Sequence, residues 1–175
     1  REVVEDGLGY LEVDEQVFAT NHFGSVLFET GEKGEARSQH QKAMALSEKA
    51  RVLWNESLTC NHYGSMLSMD GNIEQAVCIL QRGLEIAESE NFIWIAASLL
   101  SNLAVLAYFQ QDYQVAIDLF IKSNAKSAEY GDMHRSPSVN HNNLAECYMN
   151  LGQLDKANEH LNLALHHFKE CGNLV

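Results

Sequence analysis

A four-residue motif closing on a small side chain returns four times along this chain: Asn21-His22-Phe23-Gly24, Asn61-His62-Tyr63-Gly64, Ser101-Asn102-Leu103-Ala104 and Asn142-Asn143-Leu144-Ala145. The closing residues are spaced 40, 40 and 41 apart. A fixed period of this length constrains the fold strongly. Each unit is one supersecondary element that cannot bury its apolar face alone and must stack on its neighbours. Other positions keep the register. Turn residues stand at Gly31, Gly71, Gln111-Asp112 and Gly152. Small residues follow at Ala36, Ala76, Ala116 and Ala157, then at Ala43, Gly83, Ser123 and Ala164.

Bulky apolar residues fall between these points at helical spacing, as in Ile73, Val77, Leu80 and Leu84, which makes an amphipathic stripe. Each unit therefore reads as helix, tight turn, helix, with the small residues where two antiparallel helices approach closely. The pattern predicts helices over about 13–30, 33–51, 54–70, 73–89, 94–110, 113–130, 136–151 and 154–170. Glycine at three of the four turns suits a helix end that needs positive φ. Asn72, Asp112 and Asp155 are expected to cap the helices that follow. Pro137 is the only proline in 175 residues, which favours long helices over a many-turned β fold. The fold class is all-α, with units at about 13–52, 53–91, 92–132 and 133–172. Residues 1–12 fit no full unit and read as the tail of a preceding hairpin or a cap.

Twelve Lys and Arg against twenty-four Asp and Glu give a formal net charge of −12, so phosphate backbones and anionic membranes are repelled on average. Nucleic acid and membrane are not expected partners. Cys60, Cys78, Cys147 and Cys171 are scattered, as expected of buried or half-buried free thiols in a reducing compartment, the cytoplasm. No apolar run reaches the ~20 residues of a bilayer span.

The spacing of small and large residues resembles the tetratricopeptide repeat family, in a variant of about 40 residues instead of the commoner 34. Gly64, Leu67, Gly71, Ala76, Leu80 and Gly83 match the motif in the second unit, and Ala145, Tyr148, Gly152, Ala157, Leu161 and Ala164 in the fourth. His40 departs from it where a large apolar residue is usual, and Ala107 where Tyr or Leu is. The resemblance implies a right-handed superhelical solenoid of four antiparallel hairpins whose first helices line an inner surface. It further implies a protein or peptide partner held there, with His22, His62, Asn102 and Asn143 as a ladder along that surface. Asn21, Asn61 and Asn142 stand one place earlier. An Asn in such a ladder can bond an extended peptide's main chain because an amide both donates and accepts. These amides can equally bond one another between neighbouring hairpins, which is the alternative for the whole row.

The adjacent inner columns are Ser25, Ser65, Val105 and Glu146, then Glu29, Met69, Phe109 and Asn150. They hold no cluster of Lys and Arg, so recognition of a peptide's terminal carboxylate is not expected. Phe18, Leu58 and Phe109 are candidates for apolar contact with an amphipathic or extended peptide, while Trp54 and Trp94 read as packing residues between hairpins. The last helix is followed by no polar cap. That raises two further expectations: a sensor or regulatory arm of a larger bacterial signalling protein, such as a diguanylate cyclase or a helix-turn-helix regulator, and self-association through the terminal hairpins.

No enzymatic activity is expected. Cys60 and His62 point in different directions on a helix, and no base, orienter and oxyanion donor converge in sequence. The glycines form no phosphate-cradling loop. His134, His141, His160, His166 and His167 lack a three- or four-residue ligand spacing beyond one two-turn interval, so neither a metal nor another cofactor is expected.

Overall fold

The computed structural model describes residues 12–132 and 135–172. The expected tail or cap at residues 1–12 lies outside them except for Glu12, and so does His134. Among the described residues there are eight helices and no strand: α1 Val13–Glu29, α2 Lys33–Ala50, α3 Leu53–Met69, α4 Ile73–Ser89, α5 Ile93–Phe109, α6 Tyr113–Tyr130, α7 Arg135–Asn150 and α8 Leu154–Gly172.

Short turns make these helices antiparallel, and one turn geometry recurs. Gly31, Arg51, Gly71, Asn91, Gln111, Gly131 and Gly152 all take positive φ. In six of the seven, the next residue's N–H reaches back to a carbonyl in the last helical turn, as Asn72 N to Leu67 O at 2.8 Å and Asp112 N to Ala107 O at 2.9 Å. This left-handed closure satisfies carbonyls that the helix end leaves unpaired. The expected side-chain caps do not form. Asn72 and Asp112 occupy the cap positions of α4 and α6 without a side-chain cap bond, and Asp155 sits inside the first turn of α8. Carboxylates cap two other helices: Glu12 and Glu15 form a capping box at the start of α1, and Asp132 accepts from Arg135 N at 2.9 Å and Ser136 N at 3.0 Å.

The chain divides into two compact units, Arg1–Glu90 and Asn91–Val175. In the first, hairpins α1–α2 and α3–α4 pack through α3, which lies against both α1 and α2. In the second, α5–α6 and α7–α8 pack in the same way through α7. Small residues mark the crossings within hairpins. A Cβ on Gly64 would come within 2.5 Å of Leu80, and one on Gly24 within 3.1 Å of the His40 ring. Ala104 meets Phe120 in a buried cluster with Ala107, Ala116, Ile117, Leu144 and Cys147. Burying a side chain such as Leu80 or Phe120 contributes roughly 2–3 kcal/mol, and a methyl group at Gly64 would displace it.

A second device ties the crossing helices. The Ser57 hydroxyl donates to Gly83 O at 2.8 Å, and Ser123, the register equivalent of Gly83, donates to Ala97 O at 2.8 Å. Ala97 is itself the equivalent of Ser57. Donor and acceptor have changed helices while the link stays in place. In the first unit Arg82 of α4 also pairs with Glu48 at 2.6 Å and with the buried Glu56 at 2.5 Å, joining α2, α3 and α4.

Candidate functional site

Each unit contains one buried amide bonded to two other helices. In the first unit it is Asn21, 1% exposed on α1. Its Oδ1 accepts from His40 Nδ1 on α2 at 2.9 Å, and its Nδ2 donates to His62 Nδ1 on α3 at 3.0 Å. An imidazole that accepts at Nδ1 carries its one proton at Nε2, so the bond from Asn21 requires a neutral His62, while His40 donates from Nδ1. His40 stacks on Tyr63, ring centroids 5.6 Å apart. Burial, reinforced by the charge of neighbouring histidines, lowers the pKa of each to about 4. His40 thus replaces the usual large apolar residue because Asn21 supplies its hydrogen bond.

Beside this network lies a groove of about 530 Å³ lined by Ser25, Phe28, Glu29, Lys33, His40, His62, Ser65, Met66 and Met69. Ser25, Ser65, Glu29 and Met69 are the residues that the repeat placed in the inner columns. His62 enters the groove as a neutral donor whose tautomer Asn21 fixes. His22 is exposed and packs between Phe18, at 4.2 Å, and His62, at 5.4 Å.

In the second unit the buried amide is Asn140 on α7, which sequence reasoning missed. Its Oδ1 accepts from Ser101 of α5 at 2.8 Å, and its Nδ2 donates to Ser123 and Asn124 of α6 at 2.9 and 2.8 Å. Beside it opens a cavity of about 480 Å³ lined by Asn102, Ser98, Trp94, Val139 and Arg135 among others. A smaller pocket of about 100 Å³ is formed by Val105, Tyr108, Phe109, Phe120, Asn143 and Glu146.

The expected ladder therefore divides. His22, His62, Asn102 and Asn143 are exposed or half-buried, and Phe109 is exposed. Asn21 and Asn61 are buried, and Asn21 bonds His62 of the next hairpin, the alternative expected for the row. Asn142 is half-buried and donates to Glu146 Oε1 at 3.2 Å. Leu58 is buried and drops out as an apolar contact, whereas Phe18 is exposed. Trp94 lines the larger cavity of the second unit.

The histidines and cysteines also depart from their sequence reading in detail. His141 and His160 meet across α7 and α8 with Nδ1 atoms 2.9 Å apart, and His167 stacks on His141 at 5.4 Å. Burial first, then the neighbouring histidines, lowers the His141 pKa to about 4. No group of three His, Cys, Asp or Glu among the described residues is arranged to hold a metal. Cys60 and Cys147 are buried and Cys171 half-buried, as expected, but Cys78 is exposed. No described helix is long and apolar enough to cross a membrane.

Paired helices with small residues at their crossings and a repeated left-handed turn are accompanied by direct family matches. Tetratricopeptide repeat models match residues 19–51 and 140–165. The chain is a tetratricopeptide-repeat protein. BtubC (BKLC) from P. vanneervenii has the same fold at TM-score 0.84 and 17% identity, over 98% of this chain and 72% of that one. The tetratricopeptide-like repeats of a putative kinesin light chain from Podosopora anserina align at TM-score 0.75 and 18% identity, over 90% and 76%. A Pyrococcus horikoshii signal transduction ATPase with numerous domains, which has a tetratricopeptide repeat sensor, aligns at TM-score 0.83 and 15% identity, over 99% of this chain and 27% of that one. At these identities the likeness is one of fold, an all-α tetratricopeptide-like solenoid. No curated protein sequence matches the chain. Tetratricopeptide repeats are protein-interaction modules, and this chain is a scaffold of that kind.

Proposed function

We propose that the tetratricopeptide hairpins hold a partner's peptide segment in the inner grooves of each unit, with no chemistry of their own. The observation that carries this reading is the pairing of Asn143 with Phe109 at the small pocket of the second unit. The Asn143 amide makes no hydrogen bond to another described residue, so its donor and acceptor are open to a peptide main chain. Phe109 stands exposed beside it and offers apolar contact. The first-unit groove has the same combination, with Met66 and Met69 for an apolar side chain and His62 as donor. Flexible Met walls suit segments of varied shape. Cys60 supports a non-catalytic reading: burial pushes its pKa up to about 12, far from an active thiolate.

The test is binding of a peptide selected on the wild-type chain from a displayed random library. Asn143→Ala combined with Phe109→Ala lowers affinity about 10- to 100-fold, given roughly 1.5–3 kcal/mol for one hydrogen bond and one ring face, and leaves the helical circular dichroism unchanged. Equal binding by the variant rejects the second-unit site. A second reading, a sensor arm of a larger signalling protein such as a diguanylate cyclase or a helix-turn-helix regulator, is favoured by the likeness to the Pyrococcus chain, of which this chain spans 27%. The full open reading frame decides it.

A further inference from the structure

In the second unit the first helices, α5 and α7, carry two charged side chains between them, Arg135 and Glu146. These stand about three turns apart on α7, roughly 16 Å along the axis, so Arg135 does not neutralise Glu146. No ion pair among the described residues includes Glu146. Its Oε1 accepts from Asn142 Nδ2 at 3.2 Å, a neutral donor that leaves the charge in place. The carboxylate is half-buried and lines the pocket of about 100 Å³ together with Tyr108, Phe109 and Asn143. Burial first, then the charge of Glu146, raises the Tyr108 pKa, so the negative potential extends to the aromatic side of the pocket. The Tyr108 and Phe109 rings meet edge to face with centroids 5.7 Å apart, and Phe109 is 67% exposed. A half-buried carboxylate without a cation carries a desolvation cost that a bound cation offsets.

We propose that this pocket receives an arginine side chain of the bound segment. The inference rests on the peptide-binding reading and adds which side chain the segment must carry. A guanidinium is planar and has five N–H donors. Two donate to the Glu146 carboxylate, its face lies on the Phe109 ring, and a remaining N–H reaches the Asn143 side-chain oxygen. A lysine ammonium would pair with Glu146 as a point charge but would offer no flat face to Phe109. About 100 Å³ is well below the ~300 Å³ of a small-molecule site, and suits the end of one side chain. The distribution of charge agrees. Among the described residues Arg135 is the one Lys or Arg on a first helix, against Asp14, Glu15, Glu29 and Glu146, besides the Glu56 that pairs with Arg82. These helices attract a basic segment and repel an acidic one.

The test starts from peptides selected from the displayed random library on the wild-type chain. The strongest binder is then synthesised with each arginine replaced in turn by citrulline, a neutral side chain of the same shape. The selected peptides share an arginine at one position. Citrulline there weakens binding to the wild type about 10-fold or more, and Glu146→Gln weakens binding of the arginine peptide by a similar factor. On the Glu146→Gln chain the citrulline change costs little further affinity, and added salt weakens the arginine peptide more than the citrulline one. Selected peptides that lack arginine, yet lose affinity for the Asn143→Ala, Phe109→Ala chain, overturn this proposal and leave the peptide-binding reading standing. So does a citrulline effect of equal size on the wild type and on Glu146→Gln, which would place the arginine elsewhere. Peptides indifferent to Asn143 and Phe109 reject the second-unit site and this proposal with it.

Discussion

His40 is a base held neutral in a place where the other repeats put Leu80 and Phe120. Its ring is 1% exposed, and its hydrogen-bond partner Asn21 Oδ1 already accepts from Nδ1. Charging the ring would bring a second proton to Nε2, which packs against Gly24. The unfolded chain has no such restriction and takes up the proton near pH 6.5, whereas the folded chain does so near 4. Stability from this group is complete above about pH 6.5 and is lost as pH falls from there toward 4. At most roughly 3 kcal/mol is involved, from a shift of this size at 1.36 kcal/mol per unit. His40→Gln keeps a donor for Asn21 and removes the titration. Urea denaturation at pH 7 and pH 4 therefore shows a smaller loss in the variant than in the wild type; parallel losses would mean that His40 does not control this window. The departure at position 40 was visible in the repeat. Its compensation was not, because Asn21 and His62 lie 19 and 22 residues away and nothing local marks them as partners.

Helices of 16 to 19 residues and a turn spacing near 20 give the hairpins their shape. The helices were legible because their apolar period and turn residues agree, and the observed ends lie within two residues of the expected ones. Three of the seven turns were less legible. Gly31, Gly71 and Gly152 advertise positive φ, while Arg51 and Gln111 adopt the same conformation without a residue suited to it. Asn91 tolerates it through its short polar side chain. The geometry at Arg51 and Gln111 is imposed by the closing hydrogen bonds and the packing on either side, at a cost of about 1 kcal/mol each. Gln111→Gly and Arg51→Gly thus raise the stability by about 0.5–1 kcal/mol in chemical denaturation, and Gly71→Ala lowers it by about as much. An unchanged or lowered midpoint for Gln111→Gly would show that the turn carries no strain. The caps failed as sequence signals for a related reason: Asn72 and Asp112 follow the left-handed residue directly, in a conformation where their side chains make no cap bond.

The repeat positions say which residues share a column, and the columns Ser25, Ser65, Glu29 and Met69 do line one groove, with Val105, Phe109 and Glu146 at another. Burial within a column depends on what lies opposite. Asn21 and Asn142 share a column, yet Asn21 is enclosed by His40 and His62 while Asn142 is half-buried and bonds Glu146 of its own helix. Asn140 was missed because the repeat offers no amide at its register: the equivalent places hold Ala19, Thr59 and Leu99. The account stands on the claim that polar side chains left unpaired on the first helices, together with their apolar neighbours, receive a peptide. Its most direct test is mapping backbone amide shifts as the library-selected peptide is added. The expected shifts fall on His62, Ser65 and Met69 or on Phe109, Asn143 and Glu146. Shifts confined to the outer face of a second helix, such as Cys78, Gln81 and Glu85 on α4, would contradict it.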